Sequence, residues 1–343
     1  MFYFSHASGL VISLAGVFFW HAAGWPLPWL LGPLLAMLGG RLLGLPLASI
    51  RHSRELGQAI VGLALGLTFS HDALLRTVTL APWIAVAVAF AFLLAWLAMQ
   101  LLRRLCPGLD PLTAWLVALP GGASEMTAIG ARRGARSEWI VLGQSLRVLI
   151  VVLLYPGAFA LFGHSAAPFA TTLAPLGSSA LPWLLPALAL GALLQWRRIP
   201  NPWFIGPLTI SLLLASSGTV SGSLPGGWVE LAQLLIGIAL GVRFDRQQML
   251  AAPRFLAAFL ASLALLLLLA VAGAGLLAAV AGLSTPLAIL AMAPGGITEM
   301  CLTARAMGLD VPTIIAFQLC RLVMVLLLAE PLSRWLAPAP ARA

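Results

Sequence analysis

Lysine is missing from this chain: all nineteen basic residues are arginine, and only ten carboxylates stand against them in 343 residues. Charged residues make up 8% and apolar ones 61%, where soluble domains carry roughly a quarter and a half. So little charge cannot cover a water-facing surface, and the chain is expected to live in a bilayer. Cysteine is scarce too. Cys106, Cys301 and Cys320 are odd in number and show no CxxC spacing, which excludes a disulfide framework and a zinc site. His6, His21, His52, His71 and His164 are scattered singly, without the convergent N, O or S donors of a transition-metal centre. No P-loop, GxGxxG or Gly-x-Ser-x-Gly motif occurs. Neither a cofactor nor an enzymatic activity is therefore expected.

Long apolar runs take the place of charge. Leu256 to Leu283 contains no charged residue and exceeds the roughly 20 residues that cross a hydrocarbon core. Twelve such segments are legible by hydropathy. Six fall at 7–22, 27–44, 55–70, 80–102, 111–133 and 138–162, and six at 180–196, 203–217, 228–244, 255–282, 286–307 and 313–336. No Arg precedes Arg41, so the run Leu10 to Trp20 lacks the basic flank of a signal peptide and reads as a retained helix. The formal charge of +9 could suggest nucleic acid, but the arginines sit in small groups between apolar segments, as cytoplasmic loops do. The lipid bilayer is the expected partner, and nucleic acid is not.

The two sets of six are copies. Pro120-Gly121-Gly122-Ala123-Ser124-Glu125-Met126 returns as Pro294-Gly295-Gly296-Ile297-Thr298-Glu299-Met300. The match continues through Gly134 and Gly308, Gln144 and Gln318, Arg147 and Arg321. Trp29 and Gly32-Pro33-Leu34 answer Trp203 and Gly206-Pro207-Leu208, while Glu55 and Gln58 answer Glu230 and Gln233. The expected organisation is a first membrane repeat at 1–165, a linker at 166–179 and a second repeat at 180–343. With the N-terminus inside, Arg51/Arg54, Arg103/Arg104, Arg197/Arg198, Arg243/Arg246/Arg254 and the C-terminal Arg334/Arg342 fall in the cytoplasm. Arg132/Arg133/Arg136 join them if the interrupted fifth segment dips in and returns. Each half then crosses about five times, and the repeats are inverted. A fully crossing fifth segment would instead give parallel six-helix repeats. Only Arg76 and Arg305 fall on the periplasmic side in the inverted arrangement. The fold class is thus all-α and polytopic, with both termini cytoplasmic.

Proline and paired glycines inside an apolar segment end a helix, by removing a donor and freeing the backbone. Such a break is tolerated in a bilayer only against protein or a watery cavity, and its repetition in both halves points to a binding site of interrupted helices. Candidate solute- or proton-binding residues are Gly121, Gly122, Ser124, Glu125, Gln144 and Arg147, with Gly295, Gly296, Thr298, Glu299, Gln318 and Arg321. Ser124 or Thr298 could cap the half-helix that follows, with the glutamate in its first turn where the macrodipole favours negative charge. Each Glu either pairs with the Arg twenty-two residues later as a structural clamp or contacts a solute or proton. Each Gln, on the same helix face as its Arg, either meets a polar solute or joins two helices. The Gly62/Gly66 and Gly237/Gly241 pairs have the spacing of close helix packing.

The duplicated Pro-Gly-Gly-x-Ser/Thr-Glu-Met element, the Gln-x-x-Arg after it and the Gly-Pro-Leu segments resemble the AbrB-type family of bacterial inner-membrane proteins, over nearly the whole chain. The resemblance implies duplication of one hydrophobic unit and an inner-membrane location. It brings two labels: regulation of gene expression, for which no loop is long enough to form a domain, and ammonia monooxygenase, for which the metal ligands are missing. The architecture is also similar to cation/proton antiporters and bile-acid symporters, an analogy of fold alone. The expectation is a secondary transporter of a small polar or anionic solute, with protons as a coupling ion and a homo-oligomer allowed.

Overall fold

The computed structural model describes residues 2–161, 181–218, 220, 224–244 and 246–336. The expected linker at 166–179 lies outside the described residues, as do His164 and Arg342. Every regular element among the described residues is helical. The first half runs α1 (Phe2–Ala22), α2 (Pro28–Leu42), α3 (Ser53–Gly66), α4 (His71–Thr79), α5 (Ala81–Leu105), α6 (Pro111–Ala118), α7 (Ala123–Arg132) and α8 (Ser137–Leu161). After a 3-10 turn at Leu181–Trp183 come α9 (Leu184–Trp196), α10 (Pro202–Ser216), α11 (Trp228–Gly241), α12 (Arg246–Ala251), α13 (Pro253–Ala281), α14 (Thr285–Met292), α15 (Ile297–Ala306) and α16 (Val311–Leu336). The order is the same twice over, and each of the twelve expected segments carries a helix.

Proline sets several of the starts. It stands in the first two positions of α2, α5, α6, α10, α13 and α14, where its missing N–H costs nothing and its φ is already helical. The helices α5, α8, α13 and α16 have 25, 25, 29 and 26 residues and are long and apolar enough to cross a membrane. Together with the shorter apolar helices, they make this an all-α polytopic membrane protein. The segments expected at 27–44, 55–70, 203–217 and 228–244 form helices of only 15, 14, 15 and 14 residues. At about 1.5 Å per residue these reach roughly 21–22 Å, less than the ~30 Å hydrocarbon core.

Two compact units divide the chain. One comprises Met1–Thr77, Val152–Arg246 and Cys301–Pro312; the other comprises Val78–Val151, Gln247–Met300 and Thr313–Ala343. Each draws on both sequence halves, so the repeats are units of sequence rather than separate bodies.

In the first unit α1 packs on α2 as α9 packs on α10, α2 packs on α11 as α3 packs on α10, and α3 meets α11. Exchanging the halves leaves this pattern unchanged. Glycine sets the approach. A β-carbon at Gly62 would stand 2.5 Å from Phe204 O, and one at Gly237 would stand 2.5 Å from Leu30 O. Gly66 faces Leu208 O and Gly241 faces Leu34 O in the same way. The two glycine pairs therefore serve packing, backbone against backbone.

In the second unit α5 packs against α6 and α13, and α13 against α14. Its core joins Ile84, Ala87 and Val88 of α5 to Leu277 of α13, Ala291 of α14 and Phe317 of α16. The first interrupted segment is a hairpin. Arg136 N, just past the end of α7, donates to Thr113 Oγ1 in the first turn of α6 at 2.9 Å, so entry and exit meet. A straight continuation would separate those ends by more than 30 Å at the usual rise. On that same side Arg132 and Arg133 reach Glu330, near the end of α16, at 3.4 and 3.6 Å.

Candidate functional site

Both Pro-Gly-Gly breaks, both glutamines and both arginines belong to the second unit. α6 ends at Ala118 and α7 begins at Ala123 after an extended Leu119 and the N-cap Gly122. α14 ends at Met292 and α15 begins at Ile297. Ending a helix strands its last carbonyls, and in a bilayer no water can take them. The Gln-x-x-Arg pair does so instead. Gln144 Nε2 donates to Leu116 O at 2.6 Å and Leu119 O at 2.9 Å. Arg147 donates to Leu119 O at 2.9 Å, Gly121 O at 3.1 Å and Gln144 Oε1 at 2.6 Å.

The second break repeats this scheme, with one further contact from Gln318 Nε2 to Ala291 O at 3.4 Å. Gln318 Nε2 donates to Leu290 O at 2.8 Å and Ala293 O at 3.1 Å. Arg321 donates to Ala293 O, to Gly295 O at 3.0 Å and to Gln318 Oε1 at 2.5 Å. All four side chains are buried, with Arg147 and Arg321 only 3% and 6% exposed. A cation at the carbonyl end of a half-helix is also on the favourable side of its dipole. Of the readings open from sequence, each Gln therefore acts between helices.

The clamp expected between Glu125 and Arg147 is not what forms, because Arg147 Nη1 and Nη2 are spent on the broken helix. Glu125 and Arg147 make no ion pair among the described residues. Arg321 likewise holds the α14 end of its break, whatever else it meets. The glutamates turn the other way. Glu125 and Glu299 occupy the third position of α7 and α15, at the positive helix end, and their Oε2 atoms fold back onto Gly122 and Gly296. A β-carbon on either glycine would collide with that oxygen. The glycine before it serves a methionine: a β-carbon at Gly121 or Gly295 would lie 2.8 or 3.1 Å from Cε of Met126 or Met300.

The expected hydroxyl caps are corrected. Gly122 is the N-cap of α7 and no side chain bonds there. Ser124 and Thr298 fall one residue beyond the first helical position. Ser124 is exposed and Thr298 buried.

Pro120 and Pro294 line one narrow cavity, with Arg321, Phe90 of α5, Leu266 of α13 and Phe317 of α16. It has room for about one water, ≈ 20 Å³. The two breaks therefore converge, while neither glutamate is among the residues lining that space. Arg147 borders a second, smaller space beside Ser262 and Phe259. Sequence reasoning passed over Pro120, Pro294, Met126 and Met300 as site residues, although the motif contains all four. No three of the described His, Cys, Asp and Glu side chains converge as metal ligands would.

The class defined by this architecture is a helical membrane protein with twin interrupted segments, each held open by a buried Gln-Arg pair. The chain belongs to the AbrB family, whose model, described as "Transition state regulatory protein AbrB", matches residues 29–337. It is 28% identical to "Uncharacterized protein YhjN" of Bacillus subtilis (strain 168), over 95% of this chain and 92% of that one. It is also 28% identical to "Putative regulator AbrB" of Escherichia coli (strain K12), over 92% of both chains.

Proposed function

We propose that this protein is a secondary transporter of a small polar or anionic solute in the bacterial inner membrane, and not an enzyme. One observation carries the reading: the two breaks, far apart in sequence, bring Pro120 and Pro294 to one buried cavity beside Arg321. Interrupted helices that meet inside the bilayer are how transporters expose backbone dipoles to a solute. The space is narrow, with room for about one water, and a solute enters when the helices around it part.

Arg147 and Arg321 hold the breaks, and their bonds to carbonyls are the ones an arriving anion would compete for. Glu125 and Glu299, each folded on a glycine at a helix N-terminus, are placed to take up and release the coupling proton. The inverted topology with cytoplasmic termini is supported by the α6/α7 hairpin and by Arg132 and Arg133 meeting Glu330. A parallel arrangement would put those partners on opposite faces of the bilayer. A regulatory role, suggested by the name of the Escherichia coli relative, would follow indirectly from the solute moved.

Proteoliposomes offered a panel of small carboxylates and amino acids test the reading. Uptake of at least one solute driven by a pH gradient is expected, with the gradient dependence abolished in the Glu125→Gln, Glu299→Gln double variant. Full pH-dependent uptake by that variant would remove the proton role.

A further inference from the structure

The arginine ruler leaves Arg76 and Arg305 on the periplasmic side, at odds with every other basic group, and no feature of the twin breaks uses them. They come together in the first unit. Both line a single open cavity of ≈ 490 Å³ with Thr68, Ser70 and Asp310. The residues come from the end of α3, the start and middle of α4 and the turn between α15 and α16. Ser70 already caps α4, its Oγ accepting from Ala73 N at 3.2 Å, so a helix N-terminus opens on the same space. Val311 and Pro312, the first residues of α16, close another side.

We propose that this cavity is an oxyanion-binding site for a carboxylate- or phosphate-bearing ligand, recognised by the guanidinium groups of Arg76 and Arg305. Two guanidinium forks lining one cavity suit a group with two or three equivalent oxygens. Asp310 lines the same cavity and Glu230 lies close enough to act on Arg305, so a ligand meets the two guanidinium groups beside carboxylates, while the serine-capped helix end adds its own positive dipole. The volume suits a small organic anion rather than a bare ion. Asp310 sets the selectivity: it repels a highly charged ligand and favours one that also carries an ammonium or hydroxyl group. This site is distinct from the one between the breaks, and it needs no transport to be detected.

Binding to the full chain in detergent decides it, with inorganic phosphate and succinate as probes at constant ionic strength. Micromolar-to-millimolar binding is expected, weakened about tenfold or more by Arg76→Gln or Arg305→Gln, the usual loss for a charge-assisted hydrogen bond. Arg54→Gln, in the first turn of α3 and not among the residues lining this cavity, should leave it unchanged. Arg305 is the less exposed of the two and Arg305→Gln can fail for structural reasons, so Arg76→Gln, at an exposed residue, is the decisive variant. Unchanged binding in Arg76→Gln, or equal loss in Arg54→Gln, overturns the site. Nanodiscs with and without phosphatidylglycerol separate the two sources of oxyanion: displacement of phosphate by that lipid assigns the pocket to a headgroup, and indifference assigns it to a free solute. Binding lost in Arg76→Gln while the Glu125→Gln, Glu299→Gln variant still binds shows that this site stands apart from the transport reading.

Discussion

The two breaks share the Gln-Arg scheme that holds them and differ in what surrounds them. At the first, Ser124 is exposed and Glu125 half-buried. At the second, Thr298 and Glu299 are 1% and 2% exposed. The bonding scheme is local, since a Gln and an Arg three residues apart on one helix reach the carbonyls of the segment just before it. Burial is not local, because it depends on which neighbours cover α7 and α15. A duplicated motif thus fixes the architecture of a break without fixing its access, and the two carboxylates are unequal in exposure even though their sequences match. In a coupled transporter that inequality would let one glutamate meet solvent while the other is sealed.

The largest effect is expected where the breaks are alike. Arg147→Ala and Arg321→Ala each take the side-chain donor from Gly121 O or Gly295 O and the partner from a buried glutamine oxygen, and leave Leu119 O or Ala293 O to the glutamine that remains. Stranded buried groups cost about 1–3 kcal/mol apiece, so each variant should lose roughly 3–5 kcal/mol, comparable to removing one partner of a buried ionic contact. Thermal unfolding of the purified protein in detergent checks this. Similar losses at both sites uphold the shared scheme, whereas a large loss at only one would mean that the match in geometry hides a difference in energy.

A smaller effect should expose the difference. Gly122→Ala and Gly296→Ala each put a β-carbon where a glutamate oxygen now lies. Gly122 has a φ of −71°, which alanine adopts freely, so the cost there is one of space alone. Glu125 is half-exposed and can swing out, and Gly122→Ala should cost under about 1 kcal/mol. Glu299 is enclosed, and Gly296→Ala should cost about 1–3 kcal/mol, the usual range for overpacking. Equal costs at the two positions would show that burial does not restrain Glu299.

Much of this was legible in the sequence. The helix order, the two interruptions and the packing role of Gly62/Gly66 and Gly237/Gly241 all follow from spacing and composition. What spacing could not reveal was direction. Arg147 follows Glu125 by twenty-two residues and Leu119 by twenty-eight, and both fit a helix returning alongside a hairpin. The arginine reaches the α6 arm, where the break exposes the carbonyls of Leu119 and Gly121, while the glutamate already has a glycine to fold upon. The interleaving of both halves in each compact unit was equally hidden, since it depends on contacts between helices remote in the chain.

The smallest expected effect probes a feature that only one hairpin has in this form. Thr113 is fully buried and its hydroxyl accepts from Arg136 N, tying the mouth of the α6/α7 hairpin. The residue at the matching place in α14 is Leu287, which offers no hydroxyl. Thr113→Val keeps the shape and removes the acceptor, leaving one backbone donor to find water at the membrane surface. The loss should be about 1 kcal/mol, the net worth of a typical hydrogen bond, and a few degrees or less in melting temperature. Its more telling consequence is dynamic. Amide exchange at Arg136 and the residues just after it should quicken, while exchange along α14 and α15 stays as it was. If protection around Arg136 is unchanged in Thr113→Val, packing alone holds that hairpin, and the first break has no latch that the second lacks.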